Sequence, residues 1–430
     1  MTKPCVLILE AAGPESGALV ATATTAGYLV HAVTQADQHA NYSADLCDML
    51  AGCLLTNFSR SDQALDEIIE YARRISADAV LTTSEYLTPL LAMVCDALGL
   101  PGNDPARADA ARDKIVMSEM FARYGVTTPR THVVDDEDGL GQLLADSQIT
   151  FPKVVKPAHG AGSAGVTVVH DPHGCLPAWR AADGVRDMYG SPHDPRVLVK
   201  DYVTGTEYSV ESFTRQGIST QMCTTAKIVT SGAHRVELGH SVPALLSPSV
   251  ERAVHEQVDR AIAATGIRNG ASHTEVIVGA DGRCTVIEIG ARLGAGHIGV
   301  LMQHALGIDP WAALLDIALG RPADLTRTRN AHAAVRFLTS PCSGRLRAVS
   351  GLPQPNPNVP DVRLRRKVGD VVEEARSNRE RLGHIVVTGK DQAAVEQETR
   401  RLLATVTIDV DPVSDEDGTI SLPTTSQAER

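Results

Sequence analysis

Aromatic side chains are scarce in this chain: Phe, Trp and Tyr make up 3% of its 430 residues. Its cores must therefore be built from Ala, Val, Leu and Ile. Positive charge is also in deficit, with 40 Lys and Arg against 52 Asp and Glu and a formal net charge of −12. That balance argues against a nucleic-acid backbone or an anionic membrane as partner. It leaves room for an anionic small molecule, because a few local Lys and Arg residues can define a pocket. No stretch approaches the ~20 apolar residues needed to span a bilayer. The opening MTKPCVLILEAAGPESG has too short an apolar run for a signal peptide. The eight cysteines include no Cys-x-x-Cys pair and suggest neither a zinc site nor a disulfide framework. They read as reduced thiols, which points to a soluble cytoplasmic protein. The Gly-Lys-Ser/Thr of a P-loop is missing, as is the dinucleotide fingerprint. The loop AAGPESGAL at 11–19 reads as a turn.

What is present begins with alternation. VLILE at 6–10, YLVHAVT at 28–34 and DAVLTTSE at 78–85 read as strands, separated by helical stretches at 16–28 and 66–77; another follows at 88–100. Such β-α-β order implies a parallel sheet covered by helices. The stretch 106–125 reads as one helix stopped by Gly125, and 171–195 as a surface connection. VLVKDYV (197–203) and EYSVESFT (207–214) read as strands, 249–266 as an amphipathic helix and 272–292 as a hairpin turning at Ala280–Gly282. At ~100–200 residues per domain, the length allows two to four domains.

Three features carry chemistry. In FPKVVKPAHGAGSAGV, Lys156 ends a strand that enters a loop with Gly160, Gly162, Ser163 and Gly165. Glycines let backbone N–H groups converge on one anion, and the lysine adds a point charge. The alternative is an ordinary glycine-rich hairpin. Second, Glu275 and Glu288 lie on the two arms of one hairpin, roughly opposite each other. Two inward carboxylates repel unless a cation separates them, and magnesium accepts such hard oxygens. The alternative is that one of them faces solvent. Glu207 and Glu211 share a strand face by the same period of two. Third, Arg292 follows Glu288 at an even spacing and shares its face if the strand continues. It stands beside the turn Leu293–Gly296, where a guanidinium fork can clamp a carboxylate or phosphate.

The order Lys114, Lys156 with its glycine loop, KDYVTGTE, HTE and IEIGARLGAG resembles the ATP-grasp superfamily, and within it the L-amino acid (dipeptide) ligases. The resemblance implies an α/β fold of α+β modules. These are an N-terminal Rossmann-like parallel sheet (1–110), a flexible lid (111–205), a central antiparallel sheet with the metal site (206–330) and a C-terminal α+β region (331–415), ahead of a disordered tail (416–430). It implies ATP as nucleotide, with Lys114 and Lys156 on its phosphates and His159 to Val166 as the lid over them. Lys200, Asp201, Tyr202 and Val203 would line the adenine pocket through their backbone, and Glu207 would hold the ribose. Glu275 and Glu288 would bind magnesium or manganese, and Arg292 would steady the acyl phosphate. Glu85, His240 and Gly296 would meet the substrate. Two residues depart from the family pattern: Lys200 stands where many members carry an acid, and Gly290 where many carry an Asn metal ligand.

The implied activity is ATP-dependent joining of a carboxylate to an amine, both small molecules and both amino acids in the nearest reading, through an acyl phosphate with release of ADP and phosphate. A homodimer is compatible with it. The rival readings are a carboxylase or other synthetase acting on a different acid, against which the lack of a biotin-attachment segment counts, and a non-catalytic nucleotide-binding protein.

Overall fold

The structure is a computed structural model and describes residues 3–412. The expected tail at 416–430 lies outside the described residues. The first sheet is parallel, in the order Gly52–Leu55, Leu29–Thr34, Cys5–Leu9, Ala79–Leu81. Every side chain of Cys5–Leu9 is buried, because helices cover both faces and a central parallel strand has no wet side. The expected strand at 78–85 shortens to Ala79–Leu81, and a 3-10 turn at Glu85–Leu87 carries the chain into helix Thr88–Leu98.

A small antiparallel sheet follows, in the order Thr131–Val134, Val197–Asp201, Lys153–Pro157, Thr167–Val169. The central sheet has eight strands, and all neighbours run antiparallel. It runs from Cys284–Gly290 and Gly270–Val278 at one edge, through Thr206–Arg215, Ile218–Val229 and Glu237–Val242, to His332–Leu338, Gly383–Gly389 and Asp361–Leu364. The sheet therefore crosses residue 330: three strands of the C-terminal region extend it. Gly344–Ser350, Val371–Val372 and Thr407–Pro412 form a separate sheet of three strands. Among the described residues no single helix is long and apolar enough to cross a membrane.

Three local expectations are corrected. The helix at 106–125 is broken into a 3-10 segment, Pro105–Ala111, and a helix, Lys114–Arg123. Asp113 breaks it by turning extended and capping the backbone N–H groups of Ile115 and Val116. The break matters because it puts Lys114 at the first helical position, facing the glycine loop. The connection at 171–195 contains helix Cys175–Asp183, whose Cys175, Ala178, Trp179 and Ala182 pack on the small sheet. Asp411 and Pro412, the start of the polar C-terminal stretch, end a strand.

Candidate active site

One large cleft lies between the small sheet and the central sheet. Its lining carries Lys114, Lys156, Lys200, Lys227, Arg235 and Arg292 against Glu85, Asp201, Glu207, Glu237, Glu275 and Glu288. The glycine loop Gly160–Ala164 forms part of the same wall.

The small sheet delivers Lys156, and the helix that opens at Lys114 delivers a second lysine. Lys156 Nζ donates to Glu288 Oε2 at 2.9 Å. Lys114 Nζ donates to the Gly160 carbonyl at 2.7 Å and lies 3.9 Å from the same Glu288 oxygen. Burial lowers the Lys114 pKa, and Glu288 and Glu85 work against that fall. In the loop, Gly162, Ser163 and Gly165 all take left-handed φ, between 61° and 69°. His159 closes the base of the loop, its Nε2 3.1 Å from Asp113 Oδ2 and 3.3 Å from Asp194 Oδ2. From the C-terminal region, the backbone N–H of Asn378 donates to the Gly162 carbonyl at 3.0 Å.

The central sheet delivers the carboxylates. Glu275 and Glu288 are direct register partners, as the hairpin pattern implies. Burial alone would raise the Glu288 pKa, but Lys114 and Lys156 hold it far below the usual carboxylate range. Glu275 accepts from Lys227 Nζ at 2.6 Å. Lys227 was missed as a site residue, yet it is buried among three carboxylates. Its side chain is 2% exposed, and its Nζ lies 2.9 Å from Glu237 and 3.0 Å from Glu207 as well. Burial would lower its pKa, and the three carboxylates raise it well above the ordinary value. The signal was available: in CTTAKIV a lysine interrupts a strand that is otherwise apolar or small, and a buried lysine requires acidic partners. Glu237 was missed for the same reason; it also accepts from Arg381 at 2.8 Å and from Asn378 Nδ2 at 2.9 Å.

Glu207 faces the cleft, tied to Lys227 and, at 3.4 Å, to Arg235. Glu211 shares its strand face and is buried against His273, with Glu211 Oε1 2.7 Å from Nδ1. His273 Nε2 lies 3.5 Å from Glu275. Burial would lower the His273 pKa, and Glu211 raises it to about 9. Lys200 is 5% exposed and lines the cleft, with no carboxylate in ion-pair range among the described residues. Burial, then the charge of Lys156, lowers its pKa well below the ordinary value. Its side chain, and not only its backbone, is therefore part of the wall. Asp201, Tyr202 and Val203 continue that wall.

Arg292 reaches the cleft by a different route from the expected one. The strand ends at Gly290, so Arg292 follows from a bend and not from a shared strand face. Its Nη2 donates to Glu85 Oε2 at 2.6 Å, bringing the parallel sheet's loop against the central sheet. Burial would raise the Glu85 pKa, but Arg292 lowers it. Gly290 leaves the Arg292 side chain ordinary contact space, since a Cβ there would meet it at 3.6 Å. Gly296 is a tighter requirement: its φ is +69°, and a Cβ would come within 2.6 Å of the His240 ring. His240 Nδ1 lies 3.0 Å from the Gly296 carbonyl. All the expected site residues except His159, Gly165 and Gly296 line the cleft directly, and those three adjoin it.

The cleft thus has Lys114, Lys156 and a glycine loop on one wall and the paired carboxylates with Lys227 on the other. The chain's sequence matches the ATP-grasp N-terminal domain over residues 20–102, the ATP-grasp domain over 149–300 and the L-amino acid ligase C-terminal domain 2 over 336–411. The chain carries ATP-grasp domains. It is similar to dapdiamide A synthase of Enterobacter agglomerans, with 29% identity across 66% of this chain and 68% of that one. It is 25% identical to alanine–anticapsin ligase of Bacillus subtilis strain 168 over 61% of this chain, and spans 59% of that ligase's length. Its fold matches the crystal structure of an L-amino acid ligase from Bacillus licheniformis with a TM-score of 0.80 and 21% identity, over 95% of this chain and 99% of that one. Phosphoribosylglycinamide synthetase from Anaerococcus prevotii matches with a TM-score of 0.71 and 19% identity, over 95% of this chain and all (100%) of that one.

Proposed function

We propose that this chain is an ATP-dependent carboxylate–amine ligase that joins amino acids, or closely related acids and amines, through an acyl phosphate. The observation that carries the reading is the register pair Glu275–Glu288 facing Lys114 and Lys156 across one cleft. The names of two relatives support the reading: one is dapdiamide A synthase and the other alanine–anticapsin ligase.

The donor set fits ATP with magnesium. Two carboxylates offer hard oxygens, and the opposite wall offers lysines and a glycine loop for phosphates. Magnesium, when bound by Glu275 and Glu288, would neutralise phosphate charge. The chain's own residues do the rest. Lys114, Lys156 and Lys227 would draw charge from the γ-phosphate while a substrate carboxylate oxygen attacks its phosphorus and ADP leaves. The amine nitrogen then attacks the acyl carbon, and phosphate leaves. Arg292 orients the carboxylate and stabilises the charge that develops on it. Glu85 holds the guanidinium in place and presents an acceptor to a substrate ammonium. The loop from His159 to Val166 covers the phosphates and keeps water from the acyl phosphate. Asp201, Tyr202 and Val203 would frame the adenine, with Lys200 beneath it and Glu207 at the ribose. His240 and Gly296 bound the substrate end. The boundaries 110, 205 and 330 are proposed as functional divisions, although the central sheet runs through the last.

The test is incubation with ATP, magnesium and amino-acid pairs, with nucleotides and new amides identified by mass spectrometry. ADP, phosphate and an amide are expected. AMP with pyrophosphate would refute acyl-phosphate chemistry, and ADP without any amide would favour a synthetase acting on a different acid.

A further inference from the structure

Behind the substrate end of the cleft lies a polar cluster that the ligase chemistry does not use. His297 follows the turn after Arg292 and precedes helix Ile298–Leu306. Asp361 opens strand Asp361–Leu364, and His384 lies in the adjacent strand Gly383–Gly389. One potential ligand atom from each of the three lies within 4.8 Å of the others. The two imidazole centroids are 3.9 Å apart, and His384 Nε2 is 2.7 Å from Asp361 Oδ2.

Two independent features show that this is more than a packed pair of rings. His297 Nε2 is shut off from solvent with no hydrogen-bond partner, and His384, whose Nε2 meets Asp361, is 1% exposed. A buried polar atom left unpaired forfeits its hydrogen bond to water with nothing in return. In addition, His297 takes a left-handed φ of 65° at the N-cap of its helix and makes no capping hydrogen bond. Asn, Asp or Ser would serve that position better, and Gly would suit the backbone. A histidine there gives up both advantages.

Two imidazoles and one carboxylate make a nitrogen-rich donor set, with Arg363 the register partner of His384 on the next strand. The cluster therefore suits an ion that forms coordinate bonds to nitrogen, not magnesium.

We propose that His297, Asp361 and His384 bind one borderline transition-metal ion, of which zinc is the prime candidate, with a water completing the shell. Coordination at His384 Nε2 replaces the proton of the Asp361 hydrogen bond, and the ring becomes its Nδ1–H tautomer. The ion ties the turn after Arg292 to two C-terminal strands. Phe337 packs against both His240 and His297, with centroid distances of 5.7 and 6.3 Å. That wall separates the ion from the reacting groups and gives it a positioning role for the Gly294–Gly296 turn.

The test uses the full chain, stripped with chelator and dialysed. Zn²⁺ binding is measured by calorimetry, and Co²⁺ binding by visible absorption. The wild type is compared with His297→Asn, Asp361→Asn and His384→Gln, and with Glu288→Gln as a control for the magnesium carboxylates. The expected result is about one equivalent of Zn²⁺, and a Co²⁺ ligand-field band, in both the wild type and Glu288→Gln. Binding should weaken about tenfold or more in each cluster variant. Asp361→Asn, at a side chain 43% exposed, keeps the test valid if His384→Gln does not fold. Equal Zn²⁺ affinity and an unchanged Co²⁺ spectrum in His297→Asn and Asp361→Asn would overturn the proposal, as would no binding by the wild type. These readouts do not depend on ligase activity, so the metal site can fail while the ligase reading stands.

Discussion

Glu275 and Glu288 stand opposite each other on adjacent strands, and a different lysine holds each: Lys227 at 2.6 Å and Lys156 at 2.9 Å. Lysine ammonium groups thus occupy the neighbourhood that a divalent cation would share. Activity should require magnesium or manganese and stop with chelator. Glu288→Gln keeps the shape and removes one charge, so turnover should fall about a hundredfold or more with circular dichroism unchanged. Full activity in chelator would rule the metal assignment out.

Lys156→Ala removes a charge-assisted phosphate contact worth about 1.5–3 kcal/mol. The Kd for ATP should rise roughly tenfold to a hundredfold. Calorimetric titration showing unchanged ATP affinity would count against the phosphate role.

Lys227→Met should destabilise the fold more than any other single change at the cleft. It leaves Glu207, Glu237 and Glu275 together without their common cation. Breaking a buried ion pair costs about 3–5 kcal/mol, and Arg235 and Arg381 should place this case near the lower end. Adding Glu275→Gln should recover part of the loss in urea unfolding; no recovery would mean that the lysine acts through packing alone.

Arg292→Lys keeps the charge beside Glu85 but loses the planar fork. ATP affinity should stay within about twofold, while amide formation falls by at least about tenfold. Retained ligation would assign the carboxylate clamp to another residue.

Asp113 caps helix Lys114–Arg123 and pairs with His159 of the glycine loop. Burial would raise its pKa, but the His159 contact and two backbone N–H groups lower it to about 2. Its charged form therefore adds stability above the unfolded-state value near 3.8, and that contribution is lost as pH falls toward 2. Asp113→Asn keeps a competent cap, so it should flatten this part of the acid limb. Asp113→Ala should also lose about 0.5–2 kcal/mol at neutral pH. Denaturation midpoints measured across the acid range would separate the two effects.

The local pattern determined a good deal by itself. Alternating apolar runs called for a parallel sheet, because only strands covered on both faces lack polar positions. The 272–292 hairpin placed Glu275 opposite Glu288, because the period of a strand fixes which side chains meet. The glycine spacing after Lys156 marked a loop whose φ values side chains resist. What no local pattern could fix was which distant segments close on these groups. Lys156 meets Glu288 across 132 residues of chain, and Arg292 meets Glu85 across 207. Lys227 looked like one strand lysine among others until three separate strands turned their carboxylates toward it. Asp113 broke a helix that periodicity alone would continue, since its cap competes with the helical hydrogen bond. His297, Asp361 and His384 are brought together by the pairing of two C-terminal strands and the packing of one turn against them. Such contacts form only after burial selects one arrangement of the sheets, so tertiary structure alone decided them.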